Sequence, residues 1–101
     1  MRSLELFYLT NCPYCINAEK AIAELSKENP LFGKVSIRRI EEEQEPEMIK
    51  GHDYYYVPSI FMDGKKLYEA QPGQDYDTIK VNVRHCLEAA SAGDQSNFAK
   101  E

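Results

Sequence analysis

The stretch Leu4-Glu5-Leu6-Phe7-Tyr8-Leu9-Thr10-Asn11-Cys12-Pro13-Tyr14-Cys15 constrains the fold of this chain more than any other. An apolar, strand-like run passes straight into a Cys-x-x-Cys, and a helical pattern opens there. Two thiols at that spacing, between a strand and a helix, are placed for redox chemistry rather than for a metal clip. With Thr10 or Asn11 as cap and Pro13 in the first turn, where a missing N–H costs nothing, Cys12 stands at the positive end of the helix dipole. Unpaired N–H groups aimed at its sulfur favour the thiolate. Cys15 lies one turn further in, close enough to close a disulfide and more sheltered. The spacing assigns attack to Cys12 and resolution of the mixed disulfide to Cys15.

The rest of the chain supplies a sheet and its cover. A first strand over about residues 3–9 is apolar at nearly every position after Glu5, as in a central strand covered on both faces. The first helix is predicted from about Cys12 to Lys27, with Cys15, Ala18, Ile22 and Leu25 on its apolar side and Asn29-Pro30 as its stop. A second strand from about Lys34 to Ile40 alternates as an edge strand does, and the strand-helix-strand order makes a right-handed unit with the two strands parallel. Glu41 to Gly51 reads as a short, lightly packed helix. Asp63-Gly64 between two strand-like runs, Val57 to Met62 and Lys65 to Ala70, predicts an antiparallel hairpin. Asp75 or Asp77 can cap a last helix, on which Tyr76, Ile79, Val83, Cys86 and Ala90 form one apolar stripe ending at Ser91-Ala92-Gly93.

Length and charge narrow the function. At 101 residues there is room for one modest core, so a single domain over residues 1–92 is expected, followed by a flexible tail at 93–101. A net charge of −5 argues against nucleic acid, which selects a basic face. No apolar run is long enough for a membrane span, so the expected address is the cytoplasm. Three cysteines, one left over once the Cys-x-x-Cys closes, fit a reducing compartment. The acidic run Glu41-Glu42-Glu43-Gln44-Glu45 reads as a solvated face without chemistry of its own.

This order of elements, with Cys12-Pro13-Tyr14-Cys15 after the first strand and Val57-Pro58 entering the third, resembles the thioredoxin superfamily. Within it, the Cys-Pro-Tyr-Cys is similar to the glutaredoxin active-site sequence. The likeness covers about residues 1–92. It implies an α/β, thioredoxin-like fold: a four-stranded mixed sheet flanked by helices, in the order strand, helix, strand, helix, strand, strand, helix. It also implies a glutaredoxin- or thioredoxin-type thiol–disulfide oxidoreductase of cell redox homeostasis and electron transport, acting on protein disulfides or glutathione mixed disulfides. No tightly bound cofactor is implied, glutathione or thioredoxin reductase would supply electrons, and the chain would be a monomer. In such proteins the proline matching Pro58 follows a cis peptide bond and faces the dithiol, and the residue matching Val57 offers its backbone to a bound peptide or glutathione by strand addition. Tyr14 would form part of the same contact surface, and at least one of Tyr54, Tyr55 and Tyr56 would rim the groove, one or two of them being core.

The departures from the family patterns are specific. Leu9 stands where glutaredoxins carry a lysine, and only Gly73 with Asp75 or Asp77 is left of their glycine-rich loop. Leu6 stands where thioredoxins bury an aspartate, and there is no tryptophan. The sequence thus reads as a glutaredoxin-like dithiol joined to a thioredoxin-like hairpin, in which the Cys15 proton leaves through water, a backbone group or another carboxylate. The competing readings are a non-catalytic module that binds a peptide strand, a zinc site or a shared iron–sulfur cluster. Zinc would need Cys86, His85 or His52, and adjacent helical residues 85 and 86 diverge by about 100°. Cys86 reads as a small core residue, and both histidines as surface or boundary residues.

Overall fold

The computed structural model describes the backbone of residues 1–100 and the side chains of residues 1–92. Four strands, β1 (Leu4–Tyr8), β2 (Ile37–Glu41), β3 (Ser59–Met62) and β4 (Lys65–Glu69), form one mixed sheet in the order β2-β1-β3-β4. β1 pairs parallel with β2 and antiparallel with β3, and β3 pairs antiparallel with β4. The helices are α1 (Pro13–Glu28), α2 (Pro30–Gly33) and α3 (Tyr76–Lys100), and a 3-10 turn spans Pro46–Ile49.

Alternation along β1 builds two cores of unequal size. Leu4 and Leu6 join Ile60 and Tyr68 under α1, which contributes Ala18, Ala21, Ile22 and Leu25, and under α3, which contributes Ile79, Val83, Cys86, Leu87 and Ala90. Phe7 points the other way and packs with Ile40 and Phe61, covered by Met48, Tyr54 and Val57. The expected central strand covered on both faces is present. Both long helices lie on one face, however, and the second face is closed by residues of the 46–57 segment.

Several boundaries differ from the sequence reading for local reasons. Asn29 does end α1, its N–H donating to Leu25 O at 2.9 Å, but its side-chain oxygen also accepts from Leu31 N at 3.0 Å. With Pro30 in the first turn this caps a further short helix, α2, which the sequence reading missed. Lys34 and Val35 donate back to Leu31 and Phe32, so β2 starts only at Ile37 rather than at Lys34. The short helix expected from Glu41 to Gly51 is a 3-10 turn with no buried residue. Asp63 and Gly64 both take positive φ, 53° and 80°, as a two-residue hairpin turn between right-twisted strands requires. Of the two candidate caps for α3, Asp75 fills the role, its carboxylate accepting from Thr78 N at 2.9 Å. α3 continues past Ser91-Ala92-Gly93, where the sequence predicts its end; the flexible tail expected at 93–101 lies outside the residues described in full. Among the described residues no helix is long and apolar enough to cross a membrane.

Candidate active site

The C-terminal end of β1 delivers the dithiol to the start of α1. Asn11 takes a positive φ of 67°, which turns the chain, and Cys12 itself, not Thr10 or Asn11, is the N-cap of the helix. Its extended backbone and the proline that follows leave its sulfur beside the first-turn N–H groups, and Cys15 N donates to Cys12 Sγ at 3.2 Å. Cys12 is half-buried, whereas Cys15 is 3% exposed. The two cysteines are therefore distinguished by access as well as by position in the helix.

The Val57-Pro58 bond is cis, as expected, and Pro58 is buried. The half-buried Val57 turns its carbonyl toward the dithiol, where it accepts from Cys12 Sγ at 3.7 Å. Tyr14 is placed differently from the expected outward-facing contact residue. Its ring lies half-buried against the main core and its hydroxyl accepts from Gly73 N at 2.7 Å, tying the start of α1 to the loop ahead of α3. Of the tyrosine run, Tyr54 belongs to the smaller core, while Tyr55 and Tyr56 are exposed.

Burial is the main cause that pushes the Cys15 thiol up, from 9.0 to about 12; the hydrogen bond and charge of Cys12 and the charge of Glu42 add to it, and the Leu9 backbone opposes it. Glu42 in turn accepts from the Tyr54 hydroxyl, and desolvation ahead of that carboxylate drives the Tyr54 phenol upward. The acidic run is thus not simply a solvated face. Glu41 is 7% exposed and accepts from Thr10 Oγ1 at 3.3 Å and Glu43 N at 2.6 Å. Beside Cys15 a hollow of about 500 Å3 is lined by Tyr8, Leu9, Thr10, Asn11, Ile16 and Glu19. Leu9 offers no cation there, and the guanidinium of Arg39 is engaged by both oxygens of Glu19, at 2.6 and 2.9 Å.

The remaining candidates sit elsewhere. Cys86 is 2% exposed in the main core, and burial pushes its thiol up from 9.0 to about 12. Below pH 9 this raised value costs the fold nothing. Above it, the unfolded chain releases the proton that the native chain retains, so stability falls as pH rises from about 9 to 12, by about 1.4 kcal/mol per pH unit for each such thiol. Urea unfolding at pH 8 and pH 10.5 should show a smaller alkaline loss in Cys86→Ala than in the wild type, by about 1–2 kcal/mol. An unchanged loss would mean that Cys86 does not retain its proton. His52 lies on the smaller core, its ring 4.7 Å from Phe7 and from Phe61 and its Nε2 3.1 Å from Glu5. Among the described residues no group of three or more His, Cys, Asp or Glu is arranged to hold a metal ion.

A residue near the site that the sequence reading did not single out is Glu69, at the end of β4. It accepts from the backbone N–H groups of both Tyr55 and Tyr56, just ahead of Val57.

Comparison with known proteins bears on fold and family. Thioredoxin from Halobacterium salinarum, in a single-site mutant form, superposes with a TM-score of 0.55 at 21% identity, over 88% of this chain and 74% of that one. Thioredoxin 1 from the thermophilic eubacterium Thermosipho africanus gives 0.54 at 15% identity, over 86% of this chain and 96% of that one. The zinc-bound form of human ERp44 gives 0.55 at 18% identity, over 84% of this chain and 26% of that longer one. At these identities the likeness establishes the α/β thioredoxin fold. No curated protein sequence matches this chain. The family model described as "Thioredoxin domain" matches residues 3–75. Because that match runs from the strand before the Cys-x-x-Cys, through the cis-proline and the hairpin, to the cap of α3, the chain belongs to the thioredoxin domain family.

Proposed function

We propose that this chain is a thiol–disulfide oxidoreductase that reduces disulfides in proteins, or mixed disulfides with glutathione, through Cys12 and Cys15. The observation that carries this reading is the setting of Cys12 Sγ, which caps α1, accepts the Cys15 N–H at 3.2 Å and faces the Val57 carbonyl at 3.7 Å. An N–H and the positive helix end are aimed where negative charge sits on the attacking sulfur.

The steps balance as two-electron exchange. The Cys12 thiolate attacks one sulfur of the substrate disulfide, the S–S bond breaks, and the departing thiolate takes a proton from water. Two of the causes that hold the Cys15 proton in place, the hydrogen bond with Cys12 and its charge, vanish once Cys12 is in the mixed disulfide. Cys15 then ionises more readily when its thiolate is needed. It attacks Cys12 Sγ, the second substrate thiolate leaves, and a Cys12–Cys15 disulfide remains for a donor to reduce. The Val57 backbone pairs with the substrate chain, next to Pro58.

Leu9 in place of a cation, and an Arg39 already paired, weigh against a site shaped around the glutathione carboxylates. We therefore read a protein disulfide as the principal substrate, a thioredoxin-reductase-type enzyme as the donor, and a reducing compartment such as the cytoplasm as the setting. NADPH oxidation followed with one protein disulfide, driven in parallel by thioredoxin reductase and by glutathione with its reductase, tests it. Turnover with thioredoxin reductase alone is the expected result. Turnover with glutathione alone would overturn the donor assignment, and turnover with neither would overturn the redox reading itself.

A further inference from the structure

The segment 54–58 belongs to no strand, yet it presents Val57 to Cys12, and something must hold it. Glu69, only 11% exposed in its side chain, sits opposite Ser59 in the β3–β4 ladder. Its Oε2 accepts from Tyr55 N at 2.7 Å and from Tyr56 N at 2.8 Å, while Oε1 accepts from Lys66 Nζ at 2.7 Å. Two successive backbone N–H groups converging on one oxygen form an anion-binding concavity, here filled by the chain's own carboxylate. The same segment is also fastened by the Tyr54 hydroxyl donating to Glu42, by Ser59 Oγ donating to Tyr56 O at 2.5 Å and by Ala70 N donating to Pro58 O at 3.0 Å. The Ala70 bond acts on the far side of Val57, and the Ser59 bond acts on the Tyr56 carbonyl just ahead of it. Glu69 is the partner of both backbone N–H groups just ahead of Val57, and the two residues that carry them, Tyr55 and Tyr56, are 91% and 47% exposed.

We infer that Glu69 is a positioning residue for substrate: its carboxylate fixes the Tyr55-Tyr56-Val57 backbone in the conformation onto which a disulfide-bearing polypeptide docks. This rests on the dithiol reading above. Glu69 touches neither sulfur, so it governs docking of an extended chain and leaves the reactivity of Cys12 toward a small disulfide unaltered. The clamp holds over a wide pH range. Partial burial works against the charged form, but the Lys66 ammonium and the two N–H bonds outweigh it and keep the carboxyl below its usual value.

The test compares wild type, Glu69→Ala and Glu69→Gln on two substrates, a protein disulfide and a small chromogenic aryl disulfide. Glu69→Ala is expected to raise KM for the protein disulfide by about tenfold or more, with kcat and the aryl disulfide rate each within about twofold. Glu69→Gln keeps an oxygen that can accept from the N–H pair and loses the Lys66 ion pair, so its KM should fall between the two. Amide exchange at Tyr55 and Tyr56, measured by NMR, should speed up in the same order and supplies a readout should the alanine variant fold poorly. Unchanged KM and unchanged exchange in Glu69→Gln and Glu69→Ala would overturn the inference while leaving the dithiol reading intact. Equal loss on both substrates would also overturn it, reducing Glu69 to a purely structural role. A wild-type protein inert toward both disulfides would instead overturn the dithiol reading itself.

Discussion

Replacing Cys12 with serine is expected to abolish disulfide reduction, a loss of at least about a thousandfold in kcat/KM, while the fold persists. The hydroxyl stays protonated at neutral pH and is a poor nucleophile toward sulfur, so the first S–S cleavage has no agent. The geometry of the site is otherwise kept. Serine is a favoured N-cap, and its oxygen can accept the Cys15 N–H that Cys12 Sγ now accepts at 3.2 Å, so the unfolding free energy should change by no more than about 1 kcal/mol. The contrasting variant, Cys15→Ser, retains the attack and loses the release, and should accumulate a mixed disulfide visible by mass spectrometry. Turnover measured with the same protein disulfide, alongside thermal unfolding, checks the first expectation. Full activity in a folded Cys12→Ser protein would refute the assignment of the nucleophile.

The second large effect is on stability. Phe7 is fully buried on the thinner side of the sheet, with ring centroids 4.7 Å from His52, 5.0 Å from Tyr54 and 5.5 Å from Phe61. Phe7→Ala removes the centre of that small core, and Ile40 and Phe61 are fixed by strand pairing and cannot close over the gap. The expected cost is about 3–5 kcal/mol, a large share of the 5–15 kcal/mol that such domains possess. In a domain of this size that lowers Tm by about 15–30 °C. Urea unfolding should give a lower midpoint with an unchanged slope; a loss under about 1 kcal/mol would mean that the second face is not packed around Phe7. Val57 also packs on this cluster, so activity should fall before the protein unfolds.

These effects locate what was legible in the residues. β1, the Cys-x-x-Cys and α1 could be read because an apolar run, a proline at the helix start and a three- and four-residue apolar spacing agree over one continuous stretch. The hairpin followed from Asp63-Gly64, whose backbone demands are local, and the cap of α3 from an aspartate at the right place. The contacts that complete the site are not local. Thr10 meets Glu41 across 31 residues, Cys12 meets Val57 across 45 and Tyr14 meets Gly73 across 59, and no periodicity in the sequence encodes such pairs.

Glu41 shows why composition misled. In a run of acids it has the look of a solvated position, yet it is the last residue of β2, and parallel pairing with Tyr8 fixes it beside Thr10 at the mouth of the site. Glu69 escaped for a similar reason. At the end of a short edge strand it is an ordinary exposed acid until the loop ahead of Pro58 folds back and points two N–H groups at it. Leu6 at the place of a buried acid left the environment of Cys15 open. Besides Cys12, the charge that reaches Cys15 there is the carboxylate of Glu42, carried to that point by the turn after β2 rather than by β1.

The central claim is that Cys12 and Cys15 exchange two electrons as one unit. Equilibrating the protein in glutathione buffers of graded ratio, quenching with a thiol-alkylating mass tag and mapping each cysteine measures this directly. The account predicts that Cys12 and Cys15 lose their tags together along a single transition with a two-electron slope of about 30 mV per tenfold change. Cys86 should stay a thiol throughout and take up tag only after denaturation. If Cys12 and Cys15 oxidise separately, or remain thiols in the most oxidising buffer, the pair is not a redox unit and the account fails.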